Sequence, residues 1–128
     1  MDILQQLTEA ESWEQRYRLI IRAGKNLPVP EERELAAMEK IAGCEAAVWF
    51  AWYREENNRT FVFRAYSESR IINGLLWLIL QEVNHKDRLQ LRHFSISDYF
   101  SSLGIAQRLS NTRLNGLKQI EKIINGLE

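Results

Sequence analysis

The sequence predicts an α+β fold in which a small antiparallel sheet is covered by several helices, and three observations carry that expectation. Apolar residues recur at helical spacing on both sides of the chain's middle. The middle itself, from Ala47 to Tyr66, holds two aromatic, β-favouring runs, Val48-Trp49-Phe50-Ala51-Trp52-Tyr53 and Thr60-Phe61-Val62-Phe63-Arg64-Ala65-Tyr66. Between them lies Glu55-Glu56-Asn57-Asn58-Arg59, a polar turn of hairpin size. Helices, a hairpin, then helices is the order of an α+β domain rather than of alternating parallel units.

Each element follows from its own residues. Met1 to Leu7 predicts a short opening helix. Ser12-Trp13-Glu14-Gln15 has the form of a capping box, with Ser12 as N-cap and Gln15 reaching back. The helix after it carries Trp13, Tyr17, Ile20, Ile21 and Leu27 at helical spacing, and Gly24 fits its stop. Leu27-Pro28-Val29-Pro30 is an extended connector, because each proline drives its predecessor out of the helical region. Glu31 to Lys40 reads as an acidic-started helix with Leu35, Met38 and Ile41 on one side, ending at Ala42-Gly43. In the first strand both alternating sets are apolar, so one face should meet helices while the other is partly covered or meets a partner. Ser67 or Ser69 caps a helix whose Ile71, Leu75, Leu78, Ile79 and Val83 form one broad face, widened by Leu76, Trp77 and Leu80. A short helix spans Ser97 to Leu103 and ends near Gly104. Ser110 or Asn111 caps a last helix carrying Leu114, Leu117, Ile120, Ile123, Ile124 and Leu127.

A chain of 128 residues reads as one domain, residues 1–128, able to bury roughly two thirds of its unfolded surface. Seventeen Lys plus Arg balance seventeen Asp plus Glu, which argues against a nucleic-acid partner, since such binders usually carry a basic excess. The most apolar run, Ile71 to Leu80, has ten residues, and a membrane span needs about twenty. The opening MDILQQLTEAESWEQRY places charges too early for a secretory h-region. A reducing, cytoplasmic address with no membrane partner is the expectation.

Cys44 is the only cysteine. One thiol excludes an internal disulfide, a Cys-x-x-Cys redox pair and a thiolate-rich zinc or iron–sulfur site within one chain. His85 and His93 lack partners at ligand spacing and read as surface or loop residues, so no metal or organic cofactor is expected. On residue type alone a lone cysteine is a small buried hydrophobe. Its setting, IAGCEAAVW at residues 41–49, says more.

Four stretches together resemble the SufE/CsdE family of sulfur-acceptor proteins. They are Trp13-Glu14-x-x-Tyr17-x-x-Ile20-Ile21-x-x-Gly24-x-x-Leu27-Pro28, Ile41-x-Gly43-Cys44-x-x-x-Val48-Trp49, Ser67-Glu68-x-x-Ile71-Ile72-x-Gly74-Leu75, and Leu109-Ser110-x-Thr112-Arg113-x-x-Gly116-Leu117. Each alone is weak; four in this order, spanning residues 13 to 117, are specific. Ala46-Ala47, Ala65-Tyr66 and Ile72 depart from the family pattern without touching the thiol. The resemblance implies a SufE-like fold. It also implies that Cys44 receives sulfur as a persulfide from a pyridoxal-phosphate-dependent cysteine desulfurase, stimulates that enzyme and passes sulfur to an iron–sulfur scaffold or another acceptor.

The local chemistry agrees in part. Accepting sulfane sulfur resembles thiol–disulfide exchange, so the thiol must be reachable, which suits a connection between elements. With no second cysteine, a persulfide cannot collapse into an internal disulfide. Gly43 permits a tight turn and is the expected hinge of a loop, residues 42–46, that shelters the thiol at rest and swings out on the partner. Placed after a helix C-terminus and beside Glu45, Cys44 should have an ordinary or raised pKa. Arg113, in the fourth motif, is the candidate supporting cation, or alternatively a residue that holds the loop or a surface ion pair. Trp49, Trp52, Trp77 and Phe61 read as core, or as walls of an apolar pocket over Cys44. The competing readings are a thiol-dependent enzyme such as a rhodanese-like transferase, an iron–sulfur scaffold, and a non-covalent adaptor for the desulfurase.

Overall fold

The computed structural model describes residues 2–42, 46–105, 109 and 111–128, with residues 111 and 112 as backbone only. Among these residues the chain runs α1 (Ile3–Glu9), α2 (Trp13–Gly24), α3 (Glu32–Ala37), β1 (Glu39–Lys40), β2 (Val48–Arg54), β3 (Thr60–Ser67), α4 (Arg70–Val83), β4 (Lys86–Asp87), α5 (Arg88–Arg92), α6 (Ile96–Ser102) and α7 (Asn111–Asn125). The four strands form one antiparallel sheet in the order β1-β2-β3-β4. The α+β class stands, with a sheet wider than the expected hairpin.

Side-chain chemistry sets several element ends. The Ser12 hydroxyl accepts from the Gln15 amide at 3.2 Å. The Gln15 side chain reaches back as expected, but to the N–H of Glu11 rather than of Ser12, at 2.8 Å. Of the two serines before α4, Ser69 is the cap, accepting from the Ile72 N–H at 3.3 Å. Asp87 and Gln90 cap α5 reciprocally.

Helix α4 is the centre of the molecule. Nine of its residues are buried, among them Ile71, Leu75, Leu78, Ile79 and Val83, each adding about 1.5–3 kcal/mol of apolar burial. It packs on β3 with one side and on α2 with the other, as its wide apolar surface predicts. The contact with α2 is made at two glycines. A Cβ on Gly74 would lie 2.0 Å from the carbonyl oxygen of Ile20, and one on Gly24 would lie 2.7 Å from the Gly74 nitrogen. Gly24 does end α2, but its missing side chain serves this close approach.

Along β2 and β3, Val48, Phe50, Phe61, Phe63, Ala65 and Ser67 point inward. The core they begin continues through α4 to Leu91, Phe100, Ile105, Leu117, Ile120 and Ile124. The outer set, Trp49, Ala51, Val62, Arg64 and Tyr66, is half-buried, and an ion pair between Glu34 and Arg64 ties α3 to this face.

The expected helix from Glu31 to Lys40 is cut short. α3 ends at Ala37, Met38 is already extended at φ −88° and ψ 152°, and Glu39 and Lys40 pair with Phe50 and Trp49. Ladder bonds to β2 replace helical bonds that the spacing of Leu35, Met38 and Ile41 suggested.

Candidate functional site

The connection between β1 and β2 carries Cys44, and its two described ends are fixed. On the β1 side the Ile41 N–H donates to the Val48 carbonyl at 2.8 Å. On the β2 side the Ala47 carbonyl accepts from the Ser67 hydroxyl at 2.7 Å and from the Glu68 N–H at 3.4 Å. Ile41 and Val48 are buried, Ala42 is exposed, and Ala46 and Ala47 are half-buried. Ile41 and Val48 are therefore the core residues that flank the connection on its two described sides. Gly43 and Cys44, with the expected hinge and resting orientation of the thiol, lie outside the described residues.

Cys44 does not follow a helix C-terminus: β1 intervenes, and α3 ends at Ala37. A helix dipole acts mainly within its last turn, and Cys44 follows the end of α3 by seven positions with β1 between, so the expected effect of that helix end on the thiol does not apply.

Arg113 stands in the first turn of α7, half-buried. Ser110, one of its proposed caps, lies outside the described residues. His85 and His93 are both exposed. His85 has a positive φ of 67° and its Nδ1 meets Glu55 Oε1 at 2.8 Å, on the hairpin-turn side of the sheet.

The aromatic residues divide differently from the expectation. Only Phe61 is core, at 1% exposure, whereas Trp52 is 43% exposed. Trp49 is half-buried on the outer face, stacked on Tyr66 at 6.3 Å with the Lys40 ammonium 5.9 Å from its ring. Trp77 is half-buried on α4. Trp52 and Trp49 miss the core because β2 runs past its edge after Ala51 and because alternation sends Trp49 outward, whereas Trp77 packs against the core's margin.

Ser67 and Asn73 are residues whose structural part the sequence reading missed. Ser67 is fully buried, and Asn73 bonds to both its backbone groups, at 2.7 and 2.8 Å. Two signals pointed to them. Only one of Ser67 and Ser69 can cap α4, and asparagine inside a helix is a poor helix former that calls for a reason.

A small α+β protein with a lone cysteine on a strand-to-strand connection is the class these features define. The chain belongs to the SufE family: the family model described as "Fe-S metabolism associated domain" matches residues 1–127. It is 52% identical over 125 residues to an uncharacterised SufE-like protein of Haemophilus influenzae, covering 98% of each chain. It is 37% identical over 112 residues to the sulfur acceptor protein CsdE of Escherichia coli, covering 88% of this chain and 76% of that one. A solution structure of a hypothetical protein from Thermus thermophilus has the same fold, with a TM-score of 0.73 at 12% identity over 96% of this chain and 90% of that chain. No helix among the described residues is long and apolar enough to cross a membrane.

Proposed function

We propose that this protein accepts sulfur on Cys44 from a pyridoxal-phosphate-dependent cysteine desulfurase, stimulates that enzyme, and hands the sulfur on toward iron–sulfur cluster assembly in the cytoplasm. The observation that carries this reading is family membership over the whole chain together with a single thiol in the Gly43-Cys44 motif. The relative named as a sulfur acceptor supports it.

The transfer is a sulfur-for-sulfur displacement. The Cys44 thiolate attacks the outer sulfur of the desulfurase's cysteine persulfide, forming one S–S bond as the donor's S–S bond breaks. The electron pair leaves on the donor's inner sulfur as a thiolate, the outer sulfur keeps its proton, and nothing is oxidised or reduced overall. Arg113 is the proposed supporting cation, favouring the thiolate form of Cys44. A lone thiol then keeps the persulfide until an external acceptor removes it.

Mass spectrometry after incubation with desulfurase and cysteine tests this. The intact mass should rise by one or more sulfur atoms, revert with reductant and stay unchanged in Cys44→Ser. Arg113→Gln should load more slowly without losing the modification. A Cys44→Ser variant that stimulates the desulfurase as well as the parent would favour a non-covalent adaptor, and a parent that never gains sulfur would overturn the proposal.

A further inference from the structure

Ser67 is the one buried polar side chain among the described residues, at 0% exposure in a core otherwise made of apolar groups. Burying a hydroxyl is costly unless it is hydrogen-bonded, and this one is bonded twice. It donates to the Ala47 carbonyl at 2.7 Å and accepts from the Ser69 N–H at 3.1 Å. Asn73, one turn into α4, grips the same residue by its backbone. Its Oδ1 accepts from the Ser67 N–H at 2.7 Å, and its Nδ2 donates to the Ser67 carbonyl at 2.8 Å. No buried side-chain polar atom among the described residues lacks a partner.

The register shows why such a latch is needed there. Glu55 pairs with Thr60 and Ala47 with Glu68 through ladder-type hydrogen bonds, so alternate β3 residues, Phe61, Phe63, Ala65 and Ser67, turn their backbone groups away from β2. β4 reaches only Thr60 and Phe61. At Ser67 the missing neighbour strand is replaced by Asn73, which locks the end of β3 to α4. The Ser67 hydroxyl then reaches across to β2 and holds Ala47, whose remaining contact with Glu68 is long at 3.4 Å.

The geometry points to Ser67 and Asn73 as positioning residues for Cys44: they fix the point, three residues after the thiol, where its connection rejoins the sheet. The inference rests on the sulfur-acceptor reading only for its consequence in transfer; the anchoring itself concerns the exposure of one thiol. The effect of the two residues passes through the Ala47 carbonyl, so they should govern how firmly Cys44 is presented, and not whether a partner binds.

Alkylation of Cys44 in the isolated protein tests the anchor directly. Ser67→Ala removes the hydroxyl. Asn73→Ala removes the grip on Ser67 from a second side chain, and a dichroism spectrum like the parent's shows for each variant that it is folded. Ile79→Val, a core change away from the latch, controls for general destabilisation. Both latch variants should change the alkylation rate by about threefold to tenfold, the scale set by losing one hydrogen bond, while Ile79→Val leaves it unchanged. In desulfurase assays the same variants should lower the maximal rate of sulfur loading and leave the half-saturating concentration of this protein unaltered. Equal alkylation in parent and latch variants, or an equal change in Ile79→Val, overturns the inference. A parent that reacts with the alkylating reagent but never gains sulfur overturns the proposed function instead, and the alkylation comparison still decides the latch.

Discussion

Glu55 marks the opposite end of the sheet from the Cys44 connection, and its chemistry can be read from a few distances. Its Oε1 meets His85 Nδ1 at 2.8 Å and accepts from the Thr60 hydroxyl at 2.9 Å. The hydrogen bond from His85, then that from Thr60, holds the carboxyl below its ordinary value of 4.5. A carboxylate with a depressed folded-state pKa stabilises the fold fully above its unfolded value and loses that contribution as pH falls through the folded one. The parent should therefore melt higher than Glu55→Gln near neutral pH, and the difference should close as pH falls below 4.5. Melting curves at several pH values check this; a gap that widens in acid would contradict it. The pair is exposed to solvent, so the effect should also shrink in high salt. Nothing in the local sequence links these residues, since thirty positions separate them and only the sheet brings them together.

At the scale of elements, what was legible depended on whether a signal was local. The spacing in α2, α4 and α7 predicts helices because each buries a stripe of its own, and Leu117, Ile120 and Ile124 of α7 are all fully buried. β1 and β4 have two residues each, too few for any period to register, and exist only because β2 and β3 offer edges to pair with. The same non-local pairing shortened α3. The Gly43-Cys44 motif marks a candidate site by its type and order, whereas the hydrogen bonds around Ser67 depend on a register that no local pattern shows. The glycine crossing is intermediate: Gly24 and Gly74 sit in two of the four motifs, but their contact appears only when α2 lies on α4. Gly74→Ala places a methyl within 2.0 Å of the Ile20 carbonyl oxygen, so the helices must part, which should cost about 2–3 kcal/mol. Gly24→Ala, with 2.7 Å to the Gly74 nitrogen, should cost less. Urea titrations should show a lower midpoint with an unchanged slope. A Gly74→Ala variant within about 0.5 kcal/mol of the parent would mean that the crossing relaxes freely.

For the whole molecule, the decisive relation is between the strands that flank the Cys44 connection and the helices that follow. One continuous core joins them, running from Val48 and Phe50 through Leu75 and Ile79 to Phe100, Ile120 and Ile124. Polar ties reinforce it from the last helix. The Asn125 amide donates to the carbonyls of Leu91 and Phe94 at 2.8 and 3.0 Å, and Glu121 accepts from the Ile96 N–H at 2.6 Å. These contacts bind α5, α6 and α7 to one another, the core joins them to α4 and the sheet, and we infer that the chain unfolds as one domain. The tryptophans make this testable without labels. All four, Trp13, Trp49, Trp52 and Trp77, precede residue 78, so their fluorescence reports α2, β2 and α4, while far-ultraviolet dichroism also reports α7. Both signals should follow one urea transition, with a slope on the order of 1–3 kcal/mol/M. Asn125→Ala removes the side-chain donor from both carbonyls, of which Leu91's keeps the Phe94 N–H at 3.2 Å, and should lower stability by about 1–3 kcal/mol. It should do so equally by fluorescence and by dichroism, although no tryptophan lies in α7, in α5 or in the connection after α5 that it joins. A dichroism transition that moves while fluorescence stays at the parent's midpoint would divide the chain after α4 and make the presentation of Cys44 independent of its C-terminal third.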